Sequence, residues 1–335
     1  MYENVVPQLL AKYDLAYKKI HSMQKGYRNE SYAVELNDGQ MANLMVFKNE
    51  PGMLQRIQRA DMVSNYLNQH GIPSRTRLDE RLVALVSKGG TTYAGLYTYL
   101  PGSTIAWEAY TKEHLKQLGA VMAHMHAKLQ LTEAISLKKS VFSQINIVDE
   151  LLILLKRIEL YFDQASVRQA MRSKLGVNID VNFRFYKECL NLGSQLPRQH
   201  ILHMDLVRSN VLFEDTADTV RISGLIDFEK VSYGSSLFDI ARTLAFLLVD
   251  CKYKTAAEVR KYFLYSGYSK RGGGTIDTQR VKTGAGSEML LNHYVRFFLL
   301  HDFYKFLLHN PYEFLAQNEH YLRTRDILQA FDMVK

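Results

Sequence analysis

With 335 residues, 47% of them hydrophobic and 23% charged, the chain exceeds an ordinary domain of about 100–200 residues, and its composition excludes wholesale disorder or fibrous structure. Lys and Arg number 42 against 34 Asp and Glu, a formal charge of +8, which leaves nucleic acid, membrane surfaces and anionic small molecules as partners to test. Two cysteines, Cys189 and Cys251, exclude a disulfide framework or a CxxC zinc site and point to a reducing compartment.

The opening MYENVVPQLL lacks a basic n-region and a long apolar stretch, so no signal peptide is expected. After this short amphipathic start, residues 17–48 have strand character. Tyr32, Val34 and Leu36 alternate with polar neighbours, Asn37-Asp38-Gly39 marks a turn, and 44–47 is an apolar run. Leu54, Ile57, Val63 and Leu67 then share one face of a helix that stops at Gly71-Ile72-Pro73. Two further strand-like runs, 82–86 and 93–100, flank Gly89-Gly90. Beyond Pro101-Gly102 the period lengthens, with helices expected over 111–129, 148–162 and 181–192. Short apolar runs return on either side of a polar turn at 214–219, and the remainder is helical apart from a glycine-rich, basic loop at 266–287. No apolar run approaches the roughly 18 residues that span a bilayer. The expectation is a cytoplasmic α+β protein of two lobes, with residues 1–97 as a sheet-rich lobe, 98–103 as a hinge and 104–335 as a helical lobe.

The chemistry is concentrated in His203-Met204-Asp205-Leu206-Val207-Arg208-Ser209-Asn210 and Leu225-Ile226-Asp227-Phe228-Glu229. Phosphoryl transfer from ATP needs a carboxylate to receive the acceptor hydroxyl proton and oxygen ligands to hold Mg2+. H-x-D-x-x-x-x-N supplies a base and, five residues on, an amide oxygen; a second Asp at the end of the next strand completes the metal ligands. The runs 211–213 and 221–226 are expected to form a hairpin between the two motifs, which would return Asp227 close to Asn210. Two linked motifs around one hairpin are a far more specific signal than a lone HxD.

HMDLVRSNVLF and ISGLIDFE together resemble the aminoglycoside phosphotransferase and choline kinase family of protein-kinase-like enzymes. The resemblance implies a two-lobed kinase-like fold and an ATP-dependent small-molecule kinase. Asp205 would be the catalytic base, Asn210 and Asp227 the Mg2+ ligands, and His203 a support of the loop. Asp239, in Leu237-Phe238-Asp239-Ile240-Ala241, matches the family's Asp-Leu-Ala element, which braces the catalytic loop from a helix start. His126 matches the end of the family's Leu-His helix. In the amino-terminal part, Lys48 closes the third strand, where a Lys can reach α- and β-phosphate oxygens and pair with a helix carboxylate. Asp61 stands at the partner's place, although the family has Glu. The phosphate-covering turn would be Gly26-Tyr27-Arg28-Asn29-Glu30-Ser31, with backbone N–H groups and Ser31 cradling oxygens. Tyr97-Thr98-Tyr99-Leu100 falls where the family's hinge offers backbone groups to adenine.

Met204 replaces the Arg with which protein kinases sense a phosphorylated activation loop, and Glu229 stands where they have Gly, as in the IDFE of choline kinases. No peptide-binding segment follows, which favours a small-molecule acceptor such as an amino acid, amino alcohol or amino sugar. The late Val295-Arg296-Phe297-Phe298-Leu299 helix and the SGLIDF stretch are also similar to homoserine kinases of the same family. A catalytically inactive nucleotide-binding or scaffold protein on the same fold is the alternative, but such proteins lose the base or a metal ligand, and Asp205, Asn210, Asp227 and Lys48 are all present. No P-loop motif occurs. His124 and His126, two apart on a helix, diverge and belong to packing rather than to a metal site. Tyr294, Phe297, Phe298, Phe303, Tyr304 and Phe306 follow helical spacing and read as core. Nucleic-acid binding ranks last, since no basic tract interleaved with aromatics is present.

Overall fold

The structure is a computed structural model, and it describes residues 5–21, 24–25, 29–87, 89–130, 145–196, 200–216, 219–270 and 285–335. The first elements are α1 (Val6–Ala11), β1 (Tyr17–Ile20), β2 (Gln24–Lys25), β3 (Glu30–Leu36), β4 (Met41–Val46), α2 (Met53–Gln69), β5 (Val83–Ser87) and β6 (Gly90–Thr98). Then come α3 (Lys112–Gln130), α4 (Ile147–Phe162), α5 (Ala165–Ala170), α6 (Phe183–Ser194), β7 (His200–Leu202), β8 (Val211–Asp215), β9 (Val220–Leu225) and β10 (Ser232–Gly234). The chain ends with α7 (Ser236–Asp250), α8 (Ala256–Val259), which runs on as a π-helical stretch to Ser269, α9 (Ala285–His309), α10 (Tyr312–Leu315) and α11 (Glu319–Ala330). Two compact units result, one of Met1–Thr104 with Ser209–Val231, the other of Ile105–Arg208 with Ser232–Lys335.

In the first unit β1, β3, β4, β6 and β5 lie side by side in that order, antiparallel throughout, with β2 also on β3. The apolar run at 44–47 is continuous because the sheet is covered on both faces. Leu44 and Val46 join Tyr32, Val34, Ala94 and Leu96 against Leu9 and Leu10 of α1. Met45 and Phe47 point the other way, to Tyr97 and to Met53 and Ile57 of α2. Strand periodicity thus assigns each covering helix its own set of side chains.

The β8–β9 hairpin forms where the sequence places it, with Val211 opposite Leu225. It belongs to this first unit: Ser103 and Phe213 exchange backbone hydrogen bonds of 3.0 and 2.9 Å, the Leu225 N–H donates to Pro73 O, and Ser223 Oγ donates to Pro101 O. Gly102 permits that approach. Its φ is +97°, and a Cβ there would press on Ser223 Oγ and lie 2.6 Å from the Phe213 carbonyl.

The second unit is helical around a two-stranded ribbon, β7 with β10. Helix α7 is buried on nearly every side, from Leu237 to Val249, the mark of a central helix. Tyr294, Phe297, Phe298 and Phe303 of α9 are core residues. Helix α3 packs its Gly119 directly on the π-helical stretch, where a Cβ would overlap the Phe263 carbonyl and lie 2.7 Å from the Tyr268 amide nitrogen. Gly119→Ala should therefore destabilise the protein by about 1–3 kcal/mol through overpacking against backbone, read as a lowered melting temperature.

Several expectations change. The segment 266–287 is not one loop: residues up to Ser269 are helical and Ala285 opens α9, while 271–284 lie outside the described residues. The short strand β10 was not anticipated, because three residues leave no measurable alternation. Lys48 lies two residues past its strand, which is the fourth rather than the third once β2 is counted. Cys189 and Cys251 are buried free thiols. Among the described residues no helix is long and apolar enough to cross a membrane.

Candidate functional site

In the first unit the hairpin assembles the candidate metal ligands. Its last rung is a backbone bond from the Ile226 N–H to the Asn210 carbonyl, 3.0 Å long, so Asn210 and the residue after Ile226, Asp227, emerge at the same end of the ladder. Asp227 adopts a left-handed conformation, φ 64° and ψ 63°, at about 1–2 kcal/mol for a residue with a side chain. That conformation ends the strand abruptly and starts the turn Phe228–Lys230. The Asn210 side chain is buried, and its Oδ1 accepts a hydrogen bond from Ser209 Oγ at 3.2 Å.

Glu229 adds a second carboxylate. It is buried, and burial together with the Asp227 charge pushes its carboxyl up to about 7, against the donation from Asn29 and the positive charges of Arg75 and Arg56. Asn29 Nδ2 donates to Glu229 Oε1, and Asn29 Oδ1 accepts the Lys48 N–H at 3.1 Å. One amide therefore joins the strand end carrying Lys48 to the Asp227–Glu229 turn. The sequence named Asn29 only as part of a turn and Glu229 only as a departure from protein kinases. Their contact spans 200 positions and has no local signature.

Among the other amino-terminal candidates, Asp61 and Lys48 do not pair with each other. Asp61 forms a largely buried ion pair with Arg77. The Arg77 fork is aimed by its Nη1 bond to Glu80 O, and its strand segment is bridged to Tyr97, so it reaches the carboxylate as a rigid donor pair. Burial raises the Asp61 pKa, and Arg77 opposes that rise without cancelling it. Lys48 instead lies 3.7 Å from Glu50, which also pairs with Arg56. Ser31 donates its hydroxyl to Asn43 Oδ1 at 2.8 Å, which turns the side chain onto the neighbouring strand; Gly26, Tyr27 and Arg28 lie outside the described residues. Tyr97 buries its ring beneath Arg75, 5.1 Å from guanidinium carbon to centroid, and its main chain is paired with Asn43. Tyr99, past the end of β6 and 40% exposed, is the tyrosine that stands clear of the sheet. Asp61, Arg75, Tyr97, Asp227, Phe228 and Glu229 line a small cavity in this unit.

The oxygen donors suit a hard divalent cation: the Asn210 amide oxygen and the Asp227 carboxylate, with the buried Glu229 carboxyl two residues further on. Among the described residues no group of three or more His, Cys, Asp or Glu forms a ready-made metal cage.

In the second unit the loop carrying Asp205 is clamped from α7. Met204 has φ 59°, another left-handed non-glycine residue. Its N–H is caught by Asp239 Oδ1 at 2.6 Å, and the His203 N–H by Asp239 Oδ2 at 2.8 Å. Asp239 lies in the first turn of α7, capped by Ser235, where a carboxylate is also favoured by the helix dipole. Burial alone would raise its pKa, but the hydrogen bond and charge of His126, with the His203 backbone N–H, hold it below the usual carboxylate range. His126 Nε2 lies 3.0 Å from Asp239 Oδ2, and its Nδ1 lies 2.8 Å from Tyr268 OH. The Asp205 N–H donates to His203 Nδ1, and Thr243 Oγ1 donates to Leu206 O. The result is a rigid turn that presents a buried carboxylate, Asp205.

Comparison with known proteins identifies the phosphotransferase enzyme family over residues 19–251. A hydroxylysine kinase from Mus musculus is 24% identical over 58% of this chain and 53% of its own length, so the chain spans about half the length of the curated relatives it matches. Among solved structures, an amicoumacin kinase in complex with AMP-PNP and Ca2+ superposes with a TM-score of 0.66 at 16% identity, covering 99% of this chain and 96% of that one. A microcompartment-associated aminopropanol kinase gives 0.63 at 15% identity, covering 99% of both. At such identities the likeness establishes the kinase-like fold.

Proposed function

The chain belongs to the phosphotransferase enzyme family, and on that footing we propose that it transfers the γ-phosphoryl group of Mg-ATP to a hydroxyl of a small amine-bearing molecule. The observation that supports this reading is the backbone bond from the Ile226 N–H to the Asn210 carbonyl, which brings the Asn210 and Asp227 positions to one end of the β8–β9 ladder. Asn210 and Asp227 hold Mg2+, which neutralises phosphate charge when bound. Lys48 meets phosphate oxygens, tethered through its backbone to Asn29, and Tyr99 with Leu100 offers main-chain groups to the base. Asp205 orients the acceptor hydroxyl and takes its proton, while His203 and Asp239 keep the loop in place. The names of the similar proteins, hydroxylysine kinase and aminopropanol kinase, suggest hydroxylysine and aminopropanol as the first acceptors to try.

An ADP-release assay over amino acids, amino alcohols, amino sugars and antibiotics tests the reading; absence of turnover on every acceptor while ATP still binds would favour the inactive-scaffold alternative. Lys48→Ala should raise the ATP KM at least tenfold, because a mobile cation on phosphate oxygens is lost. An unchanged KM would remove Lys48 from the nucleotide site.

A further inference from the structure

A second cavity lies within the helical unit, of about 600 Å3, well within the range of small-molecule sites. It opens at the carboxy-terminal end of α7. Leu248 on its wall is nine residues beyond Asp239, about 14 Å along the helix at 1.5 Å per residue. Four cations from four segments line it: Lys254, Arg260, Arg296 and Arg323.

These arginines are held by neutral partners. Arg260 donates to Asn292 Oδ1 at 2.7 Å, and Arg323 Nε donates to Val249 O at 2.6 Å. The Arg296 guanidinium carbon sits over the Phe331 ring, 4.3 Å from its centroid, and the buried Nε has no hydrogen-bond partner. Such contacts orient a guanidinium and leave its charge uncancelled. Two carboxylates share the lining: Glu288, which accepts from Tyr265 OH at 2.9 Å, and Asp326, which is exposed and pairs with Arg325 at 2.7 Å, so the cations outnumber the acids four to two. Among the described residues none of the four cations has an ion-pair partner. Leu248, Ile327 and Phe331 supply an apolar wall.

Half-buried, oriented guanidiniums that outnumber the acids around one cavity can receive a multiply charged oxyanion. We propose that this cavity, lined by none of Lys48, Asp205, Asn210 and Asp227, is a second binding site for a phosphorylated small molecule. The phosphate engages Arg260, Arg296 and Arg323, and the organic part lies on Phe331 and Ile327. The site rests on residues that the phosphotransfer reading does not use, so it stands whether or not that reading does.

The test is titration calorimetry of the full-length chain with inorganic pyrophosphate and with phosphate, in buffer without Mg2+. Saturable binding is expected, weakened at least tenfold by Arg296→Gln and by Arg260→Gln, and unchanged by Lys48→Ala. Asp326→Asn, an exposed change that leaves the fold intact, should tighten it several-fold by removing an opposing charge. Absence of saturable binding to the wild type would overturn the proposal. So would binding that responds to Lys48→Ala instead of the arginine variants, or that Asp326→Asn leaves unchanged.

Discussion

Asp205→Asn should lower kcat by about 10^2–10^4-fold, the range that a positioned general base contributes, while ATP affinity stays within a few-fold of wild type. The two effects separate because Asp205 lies on the loop clamped by Asp239, whereas the proposed nucleotide and metal ligands, Lys48, Asn210 and Asp227, lie in the other unit. Asn is isosteric and keeps the backbone bonds of the turn, so the melting temperature should hardly move. It cannot take a proton. Measuring kcat, ATP affinity and melting temperature on one preparation decides the matter, and unchanged kcat would remove Asp205 from the proposed role.

Asp239→Ala should have the largest effect on stability, about 3–5 kcal/mol, in line with the loss of one partner from a buried charged network. It strands the His203 and Met204 N–H groups and the His126 ring, and it removes what compensates the left-handed backbone at Met204. For a unit of this size that is a fall in melting temperature of roughly 6–20 °C. Activity should fall as well, since the turn that aims Asp205 loses its anchor. Asp239→Asn is the milder companion and carries a pH signature. The Asp239 carboxyl titrates below its ordinary 3.8 in the folded protein. Its contribution is therefore fully present above that value and is lost as pH falls through the depressed pKa. Acid unfolding of the wild type should include this loss, and Asp239→Asn should lack it; identical acid limbs in the two proteins would contradict the assignment.

What the sequence made legible follows from how local each signal is. The β8–β9 hairpin, with its end at Ile226 returned to Asn210, could be read because strand, polar turn and strand are contiguous, and a hairpin returns its ends to each other by geometry. The α+β organisation was legible for the same reason, in the switch of period after Pro101-Gly102. Asp239 was found only through resemblance to a family element, and nothing local says that its two oxygens clamp two successive amides. The partner of Asp61 stayed open because helix position alone cannot tell whether a carboxylate meets Lys48 or an arginine from the segment beyond the helix. Arg77 wins because that segment is bridged to Tyr97. Asn29 and Glu229 were missed as a pair because side chains 200 residues apart leave no trace in periodicity. The +8 charge also has a more specific place than whole-chain arithmetic allowed, since part of it converges on the cavity of Arg260, Arg296 and Arg323.

The central claim is transfer of a phosphoryl group to a small hydroxylated amine. Its most direct test is incubation of the pure protein with Mg2+ and γ-labelled ATP against a panel of such acceptors, with the products separated. The account predicts label on one or a few acceptors, ADP in equal amount, and loss of both with Asp205→Asn. Nucleotide binding without label on any acceptor, or label transfer that survives Asp205→Asn, would contradict it.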